Sequence, residues 1–117
     1  MGTSDMRELG TLRITSSAAP VEGVVVELAG ELDLSTVPMF VDAIDEILGG
    51  EPTAVELDLS KLSFIDSSGV GAYVTAYRRA MAKGSRLSVG ERSALVDRVL
   101  QLSGVEEALA AESAEGT

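Results

Sequence analysis

The chain has 117 residues, of which 45% are hydrophobic and 24% are charged, values typical of one soluble globular domain with a single core. Its 9 basic and 19 acidic residues give a net charge of -10, which disfavours binding to nucleic acid or to an anionic membrane surface. The absence of cysteine and histidine excludes disulfides, thiolate or imidazole metal sites, and catalytic triads that depend on histidine.

The sequence carries no sign of membrane insertion or export. No apolar run approaches the roughly 18 residues needed to cross a bilayer. The first residues include Asp5 and Glu8 and lack the charged and then apolar order of a signal peptide. We therefore expect a cytoplasmic protein that contacts neither a membrane nor nucleic acid.

The first third of the chain predicts a lead-in and a β-hairpin. Residues 1–10 are polar and unpatterned, which predicts a flexible N-terminal lead. Residues 11–16 alternate in polarity, as a half-buried strand does, and residues 24–30 form a valine-rich run. A turn through Pro20 and Gly23 joins these two predicted strands.

A helix is predicted after the hairpin. Ser35 and Thr36 offer a hydroxyl cap, and Pro38 suits the first turn of a helix. Apolar residues at steps of three and four form one face of this helix, and acidic residues form the other. The apolar face consists of Val37, Phe40, Val41, Ile44, Ile47 and Leu48. The helix ends at Gly49-Gly50 and is therefore amphipathic, with a solvated acidic face.

The middle of the chain predicts a strand that leads into a second helix. Residues 54–60 alternate cleanly between apolar and polar side chains, which is typical of a strand with one buried face. The connection over residues 61–66 carries three apolar anchors. These anchors are Leu62, Phe64 and Ile65. From Ser67 to Gly84 the apolar spacing is helical.

The last third predicts one strand and two helices. Residues 86–89 form a short strand, a helix begins near Ser93 and ends at Ser103-Gly104, and residues 105–111 form a short helix. Residues 112–117 should fray. Because strands and helices alternate after the first hairpin, the sequence predicts one α/β domain over residues 11–111 with a single mixed sheet.

Small polar residues fill the junction between the central strand and the helix that follows it. Asp66, Ser67 and Ser68 directly precede the helical pattern, and such residues cap helices by accepting hydrogen bonds from free backbone N–H groups. The junction is therefore equally typical of an ordinary helix cap and of a hydroxyl presented for chemistry. A phosphate here would lie at the positive end of the helix and would add a charge of about -1.5 to -2 beside Asp66.

Two other kinds of site are only weakly indicated. Gly69-Val70-Gly71 lacks the further glycine of a dinucleotide-binding loop and the lysine of a P-loop, so its glycines more simply leave room at a docking surface. Asp33, Asp58 and Asp66 lie near predicted strand ends and could approach a hard cation. Their spacing matches no known metal-binding loop, so we expect capping or solvated carboxylates, with no metal and no cofactor.

Several motifs, taken in order, resemble a known family. They are Gly30-Glu31-Leu32-Asp33, Leu57-Asp58-Leu59-Ser60, Phe64-Ile65-Asp66-Ser67-Ser68-Gly69-Val70-Gly71 and Leu102-Ser103-Gly104-Val105. This series resembles the STAS domain anti-sigma factor antagonists of bacteria, also called anti-anti-sigma factors, and spans about Thr11 to about Leu109. The resemblance implies a mixed, mostly parallel central sheet of four or five strands, an N-terminal hairpin, and helices mainly on one face.

The resemblance also implies a partner-switching protein rather than an enzyme. Unphosphorylated members of the family bind an anti-sigma factor that is also an ATP-dependent serine kinase, and a sigma factor is thereby freed for transcription. Phosphorylation ends this binding, and a phosphatase resets the cycle. The family's phosphorylated serine corresponds to Ser67. The residues that the resemblance assigns to partner binding are Asp33, Asp66, Ser67, Ser68, Gly69 and Val70.

Two alternative functions stay open. A constitutive STAS scaffold or ligand-binding module would work without a phosphorylation cycle, although the intact Asp66-Ser67-Ser68-Gly69 motif counts against it. An enzyme with Ser67 as its nucleophile would need a base, and the chain offers no histidine and no suitably placed lysine.

We expect a monomer or a weak dimer. The segment after Gly104 is short and alanine-rich, so the last element is expected to be reduced or packed differently from that of the family.

Overall fold

A five-stranded sheet forms the frame of the protein in the computed structural model, which describes residues 5–115. Its strands are β1 (Asp5–Leu9), β2 (Leu12–Ala18), β3 (Val24–Leu32), β4 (Ala54–Ile65) and β5 (Arg86–Arg92). They lie side by side in the order in which they occur along the chain. The pairings of β1 with β2 and of β2 with β3 are antiparallel, whereas those of β3 with β4 and of β4 with β5 are parallel.

The N-terminal residues differ from the prediction. Asp5–Leu9, expected in a flexible lead, form β1 and pair with β2 from Asp5↔Ser16 to Leu9↔Leu12. Gly10 makes the connecting turn with a φ of 57°, a left-handed conformation that glycine adopts without strain. Because β1 adds a second antiparallel pairing, the sheet is mixed, as predicted, but antiparallel and parallel pairings are equal in number. Residues 1–4 of the predicted lead lie outside the described residues.

The helices pack on one face of the sheet, as predicted. They are α1 (Val37–Leu48), α2 (Ser67–Ala82), α3 (Ala94–Ser103) and α4 (Val105–Glu115). The sheet residues that face them are buried and apolar, and in β2, β3 and the first part of β4 they follow the predicted period-2 pattern. These residues are Leu12, Ile14, Val26, Leu28, Leu32, Val55, Leu57, Leu59, Leu62, Ile65 and Leu87. Alternate residues, such as Arg13, Glu56 and Lys61, remain exposed on the other face. None of the helices in residues 5–115 is long and apolar enough to cross a membrane.

β4 is longer than predicted and includes most of the segment expected to be a connection. Register shifts relative to β3 occur between Glu27 and Ala29 and between Gly30 and Glu31. Such bulges interrupt the period of 2, so residues three apart can face the same side of the sheet. Leu62 and Ile65 are accordingly both buried, at 0% and 6% exposure. The expectation that Phe64 is also an anchor is wrong, because its side chain is 43% exposed on the open face.

The C-terminal helix extends further than predicted. A short helix was expected over residues 105–111, but α4 continues to Glu115. Arg78 of α2 donates two hydrogen bonds to the carboxylate of Glu112, at 3.1 and 2.7 Å, which holds the added turn against the body of the protein. Leu109 is buried at 2% exposure, so the helix also contributes to the core. Residues 116–117 lie outside the described part of the chain.

Candidate functional site

The candidate site lies at one edge of the sheet, where two parallel strands end and two helices begin. Leu32 at the end of β3 is paired with Ile65 at the end of β4. Each is followed by an aspartate, Asp33 and Asp66 respectively, and then by the start of a helix. Because parallel strands end at the same edge, the structure brings together two motifs that are 33 positions apart in the chain.

Asp66 is the residue that caps α2. Its backbone is extended, with φ -113° and ψ -171°, and its Oδ1 atom accepts a hydrogen bond of 3.0 Å from the N–H of Gly69. This geometry is that of an N-cap side chain that satisfies one of the free N–H groups of the first turn. The sequence left this role open among Asp66, Ser67 and Ser68. The structure assigns the cap to the aspartate and makes the two serines the first residues of the helix.

The Ser67 hydroxyl is the accessible polar group of this helix start. Its side chain is exposed, and its Oγ atom forms no hydrogen bond with any residue in the described range 5–115. Ser68, the next residue, is half-buried. Since Asp66 already supplies the cap, the Ser67 hydroxyl is not needed to start the helix and can be modified without loss of that hydrogen bond.

Gly69 and Val70 have packing roles in the first turn of α2. Gly69 is buried, and a Cβ atom at this position would lie 2.6 Å from the carbonyl oxygen of Leu32 and 2.7 Å from Cγ1 of Ile65. Val70 is partly buried and packs against the hydrophobic core. The suggestion that the glycines leave room at a docking surface is therefore wrong for Gly69, whose missing side chain makes room for β3. The assignment of Gly69 to partner binding stays a prediction, and its burial favours an indirect, positioning role.

Asp33 organises the turn that joins β3 to α1. Its Oδ1 atom accepts hydrogen bonds from the N–H of Ser35 at 3.0 Å, from the hydroxyl of Ser35 at 2.7 Å and from the N–H of Thr36 at 3.2 Å. The Ser35 hydroxyl above all, with the backbone donors, holds the pKa of Asp33 below its ordinary value, although partial desolvation opposes this shift. The turn is therefore stabilised by a carboxylate in its charged form.

Thr36 supports the same turn from inside. It is only 2% exposed, and its hydroxyl donates to the carbonyl oxygen of Glu31 at 2.9 Å and accepts from the N–H of Asp33 at 3.0 Å. Thr36 occupies the N-cap position of α1, but its side chain makes no capping hydrogen bond to the helix. The expected hydroxyl cap of α1 is therefore wrong, and the hydroxyl ties the turn back to β3 instead.

Sequence reasoning missed an exposed apolar side chain beside these polar groups. Leu34 lies in the turn after β3, next to Asp33, and its side chain is 75% exposed. The apolar pattern gave no signal for this exposure, because Leu34 continues the alternation of Leu32 beyond the end of the strand.

Asp33, Asp58 and Asp66, which the sequence weakly indicated as cation ligands, do not form one group. Asp58 lies within β4, where its Oδ1 atom accepts hydrogen bonds from the N–H and the hydroxyl of Ser60, at 3.0 and 2.7 Å. Asp33 and Asp66 each accept hydrogen bonds from backbone N–H groups within their own turn. Within residues 5–115 no cluster of three or more acidic side chains is arranged to hold a metal ion.

Comparison with known proteins finds a matching family model and several similar proteins. The family model described as Mlab, STAS domain, matches residues 15–111. The anti-sigma-B factor antagonist of Listeria monocytogenes is 27% identical over 89 residues, covering 76% of this chain and 78% of the relative. The anti-sigma-F factor antagonist RsfB of Mycobacterium tuberculosis is 30% identical over 95 residues, covering 80% and 77%.

Solved structures show the same likeness. The anti-sigma factor antagonist SpoIIAA in its unphosphorylated form is 27% identical, with a TM-score of 0.65 and 98% of both chains covered. The phosphorylated form of SpoIIAA, the Bacillus cell fate determinant, is 27% identical with a TM-score of 0.59, and 90% of this chain and 86% of that one are covered. The motifs and the fold thus agree with the matched family model, and the chain belongs to the STAS domain family.

Proposed function

We propose that this protein is an anti-sigma factor antagonist whose binding is switched at Ser67. The unphosphorylated chain binds an anti-sigma factor that is also an ATP-dependent serine kinase, and sigma-factor-dependent transcription is thereby released. Phosphorylation of Ser67 ends the binding, and a phosphoserine phosphatase restores it. The protein acts as a binding partner and has no catalytic step of its own.

The single observation that carries this proposal is the state of the Ser67 side chain. It is exposed at the first position of α2, and its hydroxyl forms no hydrogen bond with residues 5–115. A kinase must bring its phosphate donor to within about 3–3.5 Å of the hydroxyl oxygen, in line with the bond that breaks. A free, exposed hydroxyl at a rigid helix start meets this requirement.

A phosphate at Ser67 would change the surface more than the fold. The positive end of the α2 dipole favours an anion at this position, so the helix start can carry the new group. The phosphate adds about -1.5 to -2 charges beside the carboxylate of Asp66, on a chain that already carries a net charge of -10. A partner surface matched to the unmodified edge then meets added bulk and like charge, which is the physical basis for release.

Two properties of similar proteins support the proposal, namely their role as antagonists and the existence of a phosphorylated form. The similar proteins of Listeria monocytogenes and Mycobacterium tuberculosis are antagonists of anti-sigma factors. SpoIIAA, which this chain matches over almost its whole length, exists in an unphosphorylated and a phosphorylated form.

The binding test uses the recombinant anti-sigma factor kinases of the source organism. Isothermal calorimetry compares wild type, Ser67→Ala, Ser67→Asp and the matched control Ser68→Ala. We expect Ser67→Ala and Ser68→Ala to bind as wild type does, and Ser67→Asp to bind about 5- to 150-fold more weakly, the range of ordinary coupling between sites. Equal affinities of wild type and Ser67→Asp would contradict the proposed switch.

A second measurement separates the switch from a constitutive scaffold. Incubation of wild type with kinase and ATP, followed by mass spectrometry of peptides, is expected to place one phosphate on Ser67. The Ser67→Ala chain should remain unmodified. A kinase that binds the chain without phosphorylating Ser67 would favour the scaffold.

A further inference from the structure

Leu34 is the apolar residue of the candidate site that solvent reaches most freely. Its side chain is 75% exposed, although leucine is usually buried. A single exposed leucine is common on protein surfaces and carries no argument by itself. Its position relative to Ser67 and the rigidity of its turn are the two observations that suggest a role in binding.

Leu34 and Ser67 follow the ends of two neighbouring strands, Leu34 in the turn after β3 and Ser67 at the start of α2. Leu32 of β3 pairs with Ile65 of β4, and the N–H of Asp66 donates to the carbonyl oxygen of Leu32 at 3.4 Å. Leu34 and Ser67 each follow this pair by two residues. Because adjacent strands are about 4.8 Å apart, the two residues leave the same edge of the sheet from neighbouring positions.

The turn that carries Leu34 is fixed on both sides. The Asp33 carboxylate accepts hydrogen bonds from the N–H and the hydroxyl of Ser35 and from the N–H of Thr36, and the buried Thr36 hydroxyl donates to the carbonyl oxygen of Glu31. A side chain presented by such a turn has little backbone freedom left to lose when a partner binds. Rigid presentation therefore lowers the entropic penalty of association.

The partner that would cover Leu34 follows from the proposed phosphorylation of Ser67. A stable protein interface buries about 800 Å² on each partner, equivalent to a disc of about 16 Å radius. We therefore expect a kinase that reaches the Ser67 hydroxyl, with its interface centred there, to cover Leu34 as well. We propose that Leu34 is an anchor residue that enters an apolar pocket of the anti-sigma factor kinase, an inference that rests on the proposed function.

The test measures binding of the same recombinant kinases to Leu34→Ala by isothermal calorimetry. We expect the dissociation constant of Leu34→Ala to rise about tenfold or more, and Leu34→Met, which keeps apolar bulk, to restore most of the affinity. The matched control is Val21→Ala. Val21 is 97% exposed in the turn before β3, and the length of β3, about 26 Å, separates it from Leu34. Val21→Ala should bind as wild type does.

The outcomes distinguish this inference from the function on which it rests. If wild type binds and is phosphorylated at Ser67 but Leu34→Ala has unchanged affinity, the anchor is wrong and the switch stands. If no kinase binds or phosphorylates wild type, both the proposed function and the anchor are overturned. Equal losses in Leu34→Ala and Val21→Ala would also overturn the anchor, because the effect would not be local. Thermal unfolding of the variants should match wild type, since both side chains are exposed.

Discussion

Gly69 of α2 lies directly against Leu32 of β3. A Cβ atom on Gly69 would stand 2.6 Å from the carbonyl oxygen of Leu32, a separation that real Cβ atoms essentially never show. Cγ1 of Ile65 would be at 2.7 Å. Leu32 and Ile65 are both buried, so neither can move aside without disturbing the core. This contact fixes the helix that bears Ser67 against the strand that leads to Asp33.

The first prediction concerns this contact. Gly69→Ala should lower the free energy of unfolding by about 1–3 kcal/mol, because the added methyl group overpacks a rigid site. The matched control is Gly71→Ala in the same helix, where a Cβ atom meets nothing within 4 Å. The control should be neutral or stabilising by up to about 1 kcal/mol, since alanine favours helix. Urea denaturation measures both, and equal midpoints for Gly69→Ala and wild type would show that the contact is looser than described.

Short-range patterns in the sequence predicted where several residues of the candidate site lie in the fold. Strand alternation and helical spacing were enough to place Asp33 and Asp66 after two strands and Ser67 at a helix start. That α1 and α2 begin at one edge follows from the parallel pairing of β3 with β4. The identity of the cap did not follow, because Asp66, Ser67 and Ser68 all favour that position. The backbone conformation at Asp66 decides among them.

The predictions that were wrong, and the contacts that were missed, depend on strand register and on pairing between distant segments. Phe64 is exposed because β-bulges shift the register of β4, and a bulge leaves no mark in apolar spacing. β1 was missed because an edge strand is held by backbone pairing with β2 and needs little apolar periodicity of its own. The ion pair between Arg7 and Glu46, which links β1 to α1, joins residues too distant in sequence for a local pattern to reveal.

The second prediction concerns the ionisation of Asp33. The carboxylate accepts a hydrogen bond of 2.7 Å from the Ser35 hydroxyl, the largest cause of its lowered pKa. In an NMR titration, the Asp33 carboxyl should therefore titrate below its ordinary range, and Ser35→Ala should move its pKa back upward. An unchanged Asp33 pKa in Ser35→Ala would contradict this assignment.

The same shift sets a pH dependence of stability. A lowered folded-state pKa means that Asp33 contributes stability above its ordinary pKa and loses it as the pH falls through the folded value, below about 4. In acid titrations followed by circular dichroism, Asp33→Asn should flatten this part of the stability profile, because the amide does not titrate. A profile identical to that of wild type below pH 4 would show that other carboxylates account for the acid sensitivity.

The third prediction tests the buried hydroxyl of Thr36. Thr36→Val keeps the shape of the side chain but removes the partner of both the Glu31 carbonyl oxygen and the Asp33 N–H. We expect the free energy of unfolding to fall by about 1–3 kcal/mol, the usual penalty for unpaired buried polar groups. Thr75→Val is the control, since Thr75 is exposed on α2 and such surface changes usually stay within about 0.5 kcal/mol. Equal effects of the two substitutions would mean that the Thr36 hydroxyl adds nothing to the turn.

The fourth prediction concerns Arg92, which fastens the C-terminal helix to the sheet. Its guanidinium donates to both carboxylate oxygens of Glu106, at 2.5 and 3.1 Å, and Asp97 lies 3.7 Å away. A two-bond contact of this kind, with the Arg92 side chain only 20% exposed, is stronger than an ordinary surface ion pair. It therefore connects the end of β5 to the first turn of α4.

Removal of this contact should loosen α4 before the rest of the protein. We expect Arg92→Ala to lower the free energy of unfolding by about 1 kcal/mol and to speed amide hydrogen exchange in α4 more than in β3 or β4. The control is Arg98→Ala, which removes an exposed arginine on α3 and should leave the exchange of α4 unchanged. Because α4 contacts α2 through Arg78 and Glu112 as well, it should remain attached in Arg92→Ala. Faster exchange spread evenly over the sheet would show instead that Arg92 stabilises the whole fold.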